Sequence, residues 1–219
     1  MSLPYTIIDM RSRPPFLHPY YGQDPHSPQA QRIIGLNRRL GSDHPQHFLV
    51  HGTSEAYVEA IRHAGIARAV VVGRSRPNVH IRNDWVKEMV DKAPEILIGI
   101  ASIDPLELGI VAALEEIKRA IMTLHLAGIS LEPAFLARPL PADSAWLFPL
   151  YELCSELNVP VFFMTGPTVP NLHDVSPEAF AVVAGAFPHL RLVISHGAYP
   201  FVKEMIGTAF AHENIFISP

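Results

Sequence analysis

Pro160-Val-Phe-Phe-Met-Thr-Gly166 and Arg191-Leu-Val-Ile-Ser-His-Gly197 are two short apolar runs, each closed by a glycine, with an amphipathic helical pattern over residues 177–187 between them. Neither run alternates polar with apolar residues, so each reads as a strand covered on both faces. One helix between two such strands is a βαβ unit with parallel pairing.

The same alternation extends outward in both directions. Strand-like runs recur at Thr6-Ile-Ile-Asp-Met10, Ala67-Arg-Ala-Val-Val-Val-Gly73, Ile96-Leu-Ile-Gly-Ile-Ala101, Gly128-Ile-Ser-Leu-Glu-Pro133 and Asn214-Ile-Phe-Ile-Ser-Pro219. Helical patterns occupy 54–65, 83–92, 106–126, 143–157 and 199–212, the first opening on Ser54 and closing on Gly65. Right-handed crossovers lead either to a closed barrel or to an open doubly wound sheet. A glycine-rich phosphate loop would favour the open sheet, but Arg11-Ser-Arg-Pro-Pro-Phe16 follows the first strand. The expected fold is therefore an α/β, TIM-type (β/α)8 barrel with seven strands visible. The apolar run at 214–219 would end the sheet on an uncovered edge, so the closing C-terminal unit is expected to be missing from this sequence.

The 219 residues suit a single domain over 1–219, with a long, proline-rich, lid-like connection at about 11–53. With 48% hydrophobic and 17% charged residues the chain has the makings of a sizeable core. A net charge of −4 with scattered arginines argues against a nucleic-acid partner. No run approaches the length of a membrane span and the N-terminus lacks signal-peptide order, so a cytoplasmic location without membrane association is expected. Cys154, the single cysteine, shares helical spacing with Leu147, Leu150 and Leu157 and reads as core.

Three segments carry a family resemblance: Ile8-Asp-Met-Arg-Ser-Arg-Pro14, the 143–166 unit with Pro149-Leu-Tyr151 and Val159-Pro-Val161, and Pro188-His-Leu-Arg-Leu-Val-Ile-Ser-His-Gly197. In order and spacing the chain resembles the amidohydrolase-related family of the amidohydrolase superfamily, which includes aminocarboxymuconate semialdehyde decarboxylase, resorcylate decarboxylase and lactonases. The resemblance implies metal-ligating histidines at the end of the first strand, where this chain has Arg11 and Arg13. It implies another on the fifth strand, where Met164 stands, and His196 is the only expected ligand position retained. The family's last-strand aspartate would lie beyond Pro219. Gly41-Ser-Asp-His-Pro45 imitates that family's last-strand motif, but it follows Asn37-Arg-Arg-Leu40, which reads as a helix end.

Arg11 and Arg13, two residues apart on one strand, would share a face with origins about 7 Å apart and form a fork for a carboxylate or phosphate. Ion pairing with Asp9 or Glu132 is the competing reading. His196 at a strand end suits general acid or base work, against the alternative of a core histidine bonded to backbone. Glu132 is a second acid/base candidate or a counterion for the arginines. Arg74, with Arg76 beside it, would widen the anion-binding surface, and Met164 and His173 complete the substrate-binding candidates. His18, His26, His44, His47 and His51 show no metal-ligand spacing.

The expected activity is hydrolysis of a lactone or amide in a small carboxylate-bearing substrate, without a metal. The alternatives are decarboxylation of an aromatic or unsaturated acid, or a non-catalytic barrel that binds an acidic ligand. No cofactor is predicted, a divalent ion such as zinc being the alternative, and association into a homo-oligomer is expected from the habit of barrels.

Overall fold

Hydrogen bonding joins seven strands in strictly sequential order in the computed structural model, which describes residues 6–12, 14–22, 24–50, 52–166 and 168–218. The strands are β1 (Ile7–Ser12), β2 (Ile66–Val72), β5 (Leu97–Ile103), β6 (Ile129–Leu131), β7 (Val161–Phe163), β8 (Leu192–Ser195) and β9 (Ile215–Ser218). Between β2 and β5 a two-stranded antiparallel hairpin is formed by β3 (Ser75–Arg76) and β4 (Val79–His80). The larger helices are α1 (Pro28–Arg39), α2 (Ser54–His63), α3 (Asn83–Val90), α4 (Ile110–Lys118), α5 (Phe148–Glu156), α6 (Pro177–Ala186) and α7 (Val202–Ala211). Parallel strands added always on the same side place every right-handed crossover on one face. The arrangement expected from the sequence is thereby found: a TIM-type α/β barrel of seven strands, rather than a doubly wound sheet whose order reverses.

The chain divides into two compact units, Met1–Val71 with Trp85–Ile98, and Val72–Asp84 with Gly99–Pro219. In the first, β1 and β2 pair in parallel, and Ser12 Oγ donates to Val70 O at 3.0 Å while sharing a short hydrogen bond with Tyr57 Oη. The sequence between β1 and β2 contains a helix that patterning missed apart from its end. α1 begins at Pro28 because Ser27 Oγ accepts the Ala30 amide, and it buries Ala30 and Ile34 against Phe48. Its end falls at Arg39, before Gly41 in the left-handed region, as the sequence indicated. The cap of α2 is Thr53, one residue ahead of the expected Ser54, since it is the Thr53 hydroxyl that accepts the Ala56 amide.

In the second unit β5 through β9 pair in parallel, with Ile103 opposite Leu131, Leu131 opposite Phe163 and Phe163 opposite Ile194. Every residue of β6, β7 and β8 is buried, the double coverage that their unbroken apolar character demands. Edge-to-face aromatic contacts hold the helices to this sheet: Phe163 lies 5.2 Å from Phe180 of α6 and 5.9 Å from Tyr151 of α5. Cys154 is fully buried in α5, and burial pushes its thiol up to about 12, in keeping with a core role. The helix expected over 106–126 is broken at Gly109, whose φ of +76° suits glycine, and the chain restarts as α4.

Candidate active site

Active sites of parallel barrels lie beyond the C-terminal ends of the strands, where successive loops converge. In the second unit that rim is shaped by where the strands stop. β6 is cut off by Pro133, which cannot donate to a ladder and which begins a turn of 3-10 helix over Pro133–Phe135. Glu132 thus stands between Leu131, the last residue of the strand, and that turn. Its side chain is only 1% exposed, in a position that a carboxylate occupies only when paired.

The pairing is tight. Arg74 leaves the end of β2 and meets Glu132 fork to fork, Nε to Oε1 at 2.8 Å and Nη2 to Oε2 at 2.8 Å. Such bidentate pairs are among the stronger charge-assisted hydrogen bonds and fix the plane of both groups. Arg76 comes from the hairpin, with Nε 3.6 Å from Glu132 Oε2 and its guanidinium carbon 4.9 Å from the centre of the Phe135 ring. Two guanidinium groups therefore meet one buried carboxylate. Arg74 is 14% exposed and Arg76 is 27% exposed, so Arg76 is the more exposed of the two.

Asp104 follows Ile103 on β5 as Glu132 follows Leu131 on β6, and the register sets the two side by side, about 5 Å apart in backbone. It is buried, and Oδ1 accepts the amides of Leu106 and Glu107 at 3.0 and 3.1 Å, capping the helical turn Pro105–Leu108. Burial holds its carboxyl above the usual range, against the pull of those amides and of His80. His80 itself is exposed on the hairpin, with Nδ1 3.1 Å from Ser75 Oγ. Sequence patterning passed over Asp104, although an Asp-Pro pair closing a strand and opening a helix was the available signal.

His196 directly follows β8, in the left-handed region at φ +53°, and it is exposed. It is therefore not the enclosed core histidine that was its alternative reading. Its imidazole lies over Gly166, where an added Cβ would come within 2.7 Å of Cδ2, so the glycine makes room for the ring. Thr165 Oγ1 donates a short hydrogen bond to Ser195 O and ties these two strand ends together.

The remaining candidates are placed less centrally. Met164 packs with Ala134, Phe135 and Val175 in an apolar cluster and is 9% exposed. His173 is exposed in the turn Leu172–Val175, where its amide donates to Asn171 Oδ1 at 3.1 Å. Its neighbour Asp174 lines a small cavity with Met164 and Thr165, and Asp174 Oδ2 is buried with no hydrogen-bond partner among the described residues. Arg11 belongs to the other unit, half-buried on β1, and its amide donates to Asp9 Oδ1 at 2.9 Å. Arg13 lies outside the described residues. Of the sequence candidates, the structure brings Arg74 and Glu132 into direct contact and adds Arg76 to them.

With this geometry in place, known proteins supply a family. A model of the amidohydrolase family matches residues 49–218. An uncharacterized TIM-barrel protein from Bordetella bronchiseptica is 30% identical with a TM-score of 0.83, the match covering 98% of this chain and 75% of that one. The structure of 5-carboxyvanillate decarboxylase from Novosphingobium aromaticivorans, complexed with manganese and 4-hydroxy-3-methoxy-5-nitrobenzoic acid, matches at 14% identity and a TM-score of 0.61, over 96% of this chain and 70% of that one. The 4-oxalomesaconate hydratase of Rhodopseudomonas palustris matches at 19% identity and a TM-score of 0.58, over 97% and 73%. No curated protein matches the chain.

Manganese in one of these barrels raises the question of whether the residues here fit such an ion. Among the described residues no three histidine, cysteine or acidic side chains are grouped so as to hold a metal. Guanidinium groups are cations without a lone pair to offer, a thioether is a poor donor to a hard ion, and both oxygens of Glu132 are engaged by Arg74. The donor set does not fit. Also among the described residues, no helix is long and apolar enough to cross a membrane. The family match over most of the chain, together with a barrel relative at 30% identity along nearly its whole length, shows that this protein belongs to the amidohydrolase family.

Proposed function

We propose that this protein is an amidohydrolase-superfamily enzyme acting on a small carboxylate-bearing compound, and that its reaction is decarboxylation of an aromatic or unsaturated acid. The observation that carries the reading is the Arg74–Glu132–Arg76 cluster at the strand ends. Glu132 holds Arg74 rigid, and the more exposed Arg76 lies over the flat Phe135 ring. A guanidinium that is 27% exposed suits a substrate carboxylate, and its aromatic support suits a planar acid. The sequence placed hydrolysis first. Similar barrels whose names include a carboxyvanillate decarboxylase and an oxalomesaconate hydratase weigh toward cleaving or adding across carbon bonds of acids.

In this reading Arg76 receives the carboxylate and His196, as imidazolium, delivers a proton to the carbon that bears it. A C–H bond forms, the C–C bond to the carboxylate breaks with its electron pair returning to the unsaturated system, and carbon dioxide leaves. His196 then recovers a proton from the solvent to which it is exposed. Asp104 and Glu132 frame the site with one carboxyl pushed up by burial and one neutralised by arginine.

The test is carbon dioxide release by the purified full-length chain from a panel of hydroxybenzoic and unsaturated dicarboxylic acids, with lactones and amides as the hydrolytic arm. Turnover on an acid that drops on the order of a hundredfold in Arg76→Met and in His196→Asn supports the proposal. Lactone or amide hydrolysis without any carbon dioxide release, or decarboxylation indifferent to both substitutions, overturns it.

A further inference from the structure

We infer that this protein works without a resident divalent cation, its electrophilic charge at the strand ends being the guanidinium groups of Arg74 and Arg76. The inference starts from the mismatch between this chain and the manganese-bound barrel it resembles in fold. A divalent ion at such a rim needs several anionic or imidazole donors converging on one point. Here Glu132 is engaged through both oxygens, which Arg74 holds, and Asp104 through one, Oδ1, which accepts two amides. Asp174 has a buried oxygen, but its companions in that cavity are the Met164 thioether, the Thr165 hydroxyl and apolar side chains.

Charge provides the second line of argument. A divalent ion placed among guanidinium groups would face like-charge repulsion in a site partly withdrawn from water, where screening is weak. Arg74 and Arg76 already supply positive charge at the end of β6. A guanidinium fork polarises less strongly than a metal but needs no loading, and it binds a carboxylate in a defined plane. Two arginines thus supply the positive charge at these strand ends.

The inference shares its site with the proposed function, yet metal content and anion binding are read without turnover, so the two stand or fall separately. The chain is purified without chelator, dialysed against manganese or zinc and passed through a desalting column before elemental analysis. Substoichiometric metal is expected, and a full equivalent of either ion retained by the protein overturns the inference. Benzoate serves as the anion probe in thermal unfolding. It is expected to raise the midpoint of the wild-type chain equally with and without EDTA, and to lose that effect in Arg76→Met. A benzoate effect abolished by EDTA, absent altogether, or undiminished in Arg76→Met overturns the assignment. Arg76 is the residue chosen because it is 27% exposed, against 14% for Arg74.

Discussion

Replacing Arg74 by Met strips one cation from a carboxylate that has almost no contact with solvent, and the structure sets the size of the effect. Glu132 loses two hydrogen bonds of 2.8 Å and keeps the 3.6 Å approach of Arg76. Breaking a buried ion pair from one side costs about 3–5 kcal/mol, because the abandoned charge stays desolvated. That is a large share of the roughly 5–15 kcal/mol that holds a typical domain together. With a urea slope of about 2 kcal/mol per molar, the unfolding midpoint should fall by about 1.5–2.5 M. The double variant Arg74→Met with Glu132→Leu removes both charges and replaces them with apolar volume, so it should recover much of the loss. The assay is urea unfolding of wild type, both single variants and the double variant, followed by tryptophan fluorescence and by far-ultraviolet circular dichroism. A loss of less than about 1 kcal/mol in Arg74→Met would mean that water reaches Glu132 and that the pair behaves as an exposed salt bridge. Additive losses in the double variant would show that the two residues do not act as one unit. Either result refutes the reasoning.

Three further outcomes follow from the geometry. In Gly166→Ala the added methyl would meet the His196 ring at 2.7 Å, at a backbone φ of +114°, so the imidazole must move. Turnover should fall by about a hundredfold with a changed His196 ring resonance, while an unmoved resonance would contradict the packing. Asp104→Asn keeps an oxygen for the helix cap but cannot ionise. Because burial raises the Asp104 pKa, its contribution to stability is full below the ordinary carboxylate pKa and is lost as pH rises through the raised value. The variant should therefore gain on wild type in urea midpoints as pH rises above the ordinary carboxylate pKa, and a difference that does not change with pH would sink the assignment. Arg119 grips Asp84 at 3.0 and 3.1 Å and Glu116 at 2.6 and 2.9 Å. Its hydrogen bonds hold Asp84 below the usual carboxylate range, and for Glu116 they prevail, with Asn83, over the opposing effect of burial. That stabilisation is present above the unfolded carboxylate pKa and is lost as pH falls, so Arg119→Met should be weakened most at neutral pH and least in acid, as read by thermal midpoints across pH.

Strands β6, β7 and β8 could be read from local composition because each is buried on both faces and so lacks polar alternation. The hairpin at Ser75–Arg76 and Val79–His80 could not, since two residues per strand carry no periodicity. Helix α1 was recognised only at its Gly41 end, because proline at Pro28 reads as a loop signal until Ser27 is seen to cap it. At the strand ends, His196 was legible as a candidate from its place at the end of an apolar run. Asp104 was not, because a capping aspartate and a site aspartate look alike in sequence.

The sequence by itself determined the alternation of strand and helix, the family and the chemical types standing at the strand ends, because those depend on local patterning and residue identity. Only the tertiary structure decided which charges meet. Arg74 and Glu132 are far apart in the chain, and it is the parallel order β2, β5, β6 that lets the loop after one strand reach the end of another. The sequence offered Glu132 as an acid/base group or as a counterion for Arg11 and Arg13, whereas the fold pairs it with Arg74 and Arg76. The physical reason is that pairing of buried charge is a matter of proximity in space, which register and loop path set and which no spacing in the sequence encodes.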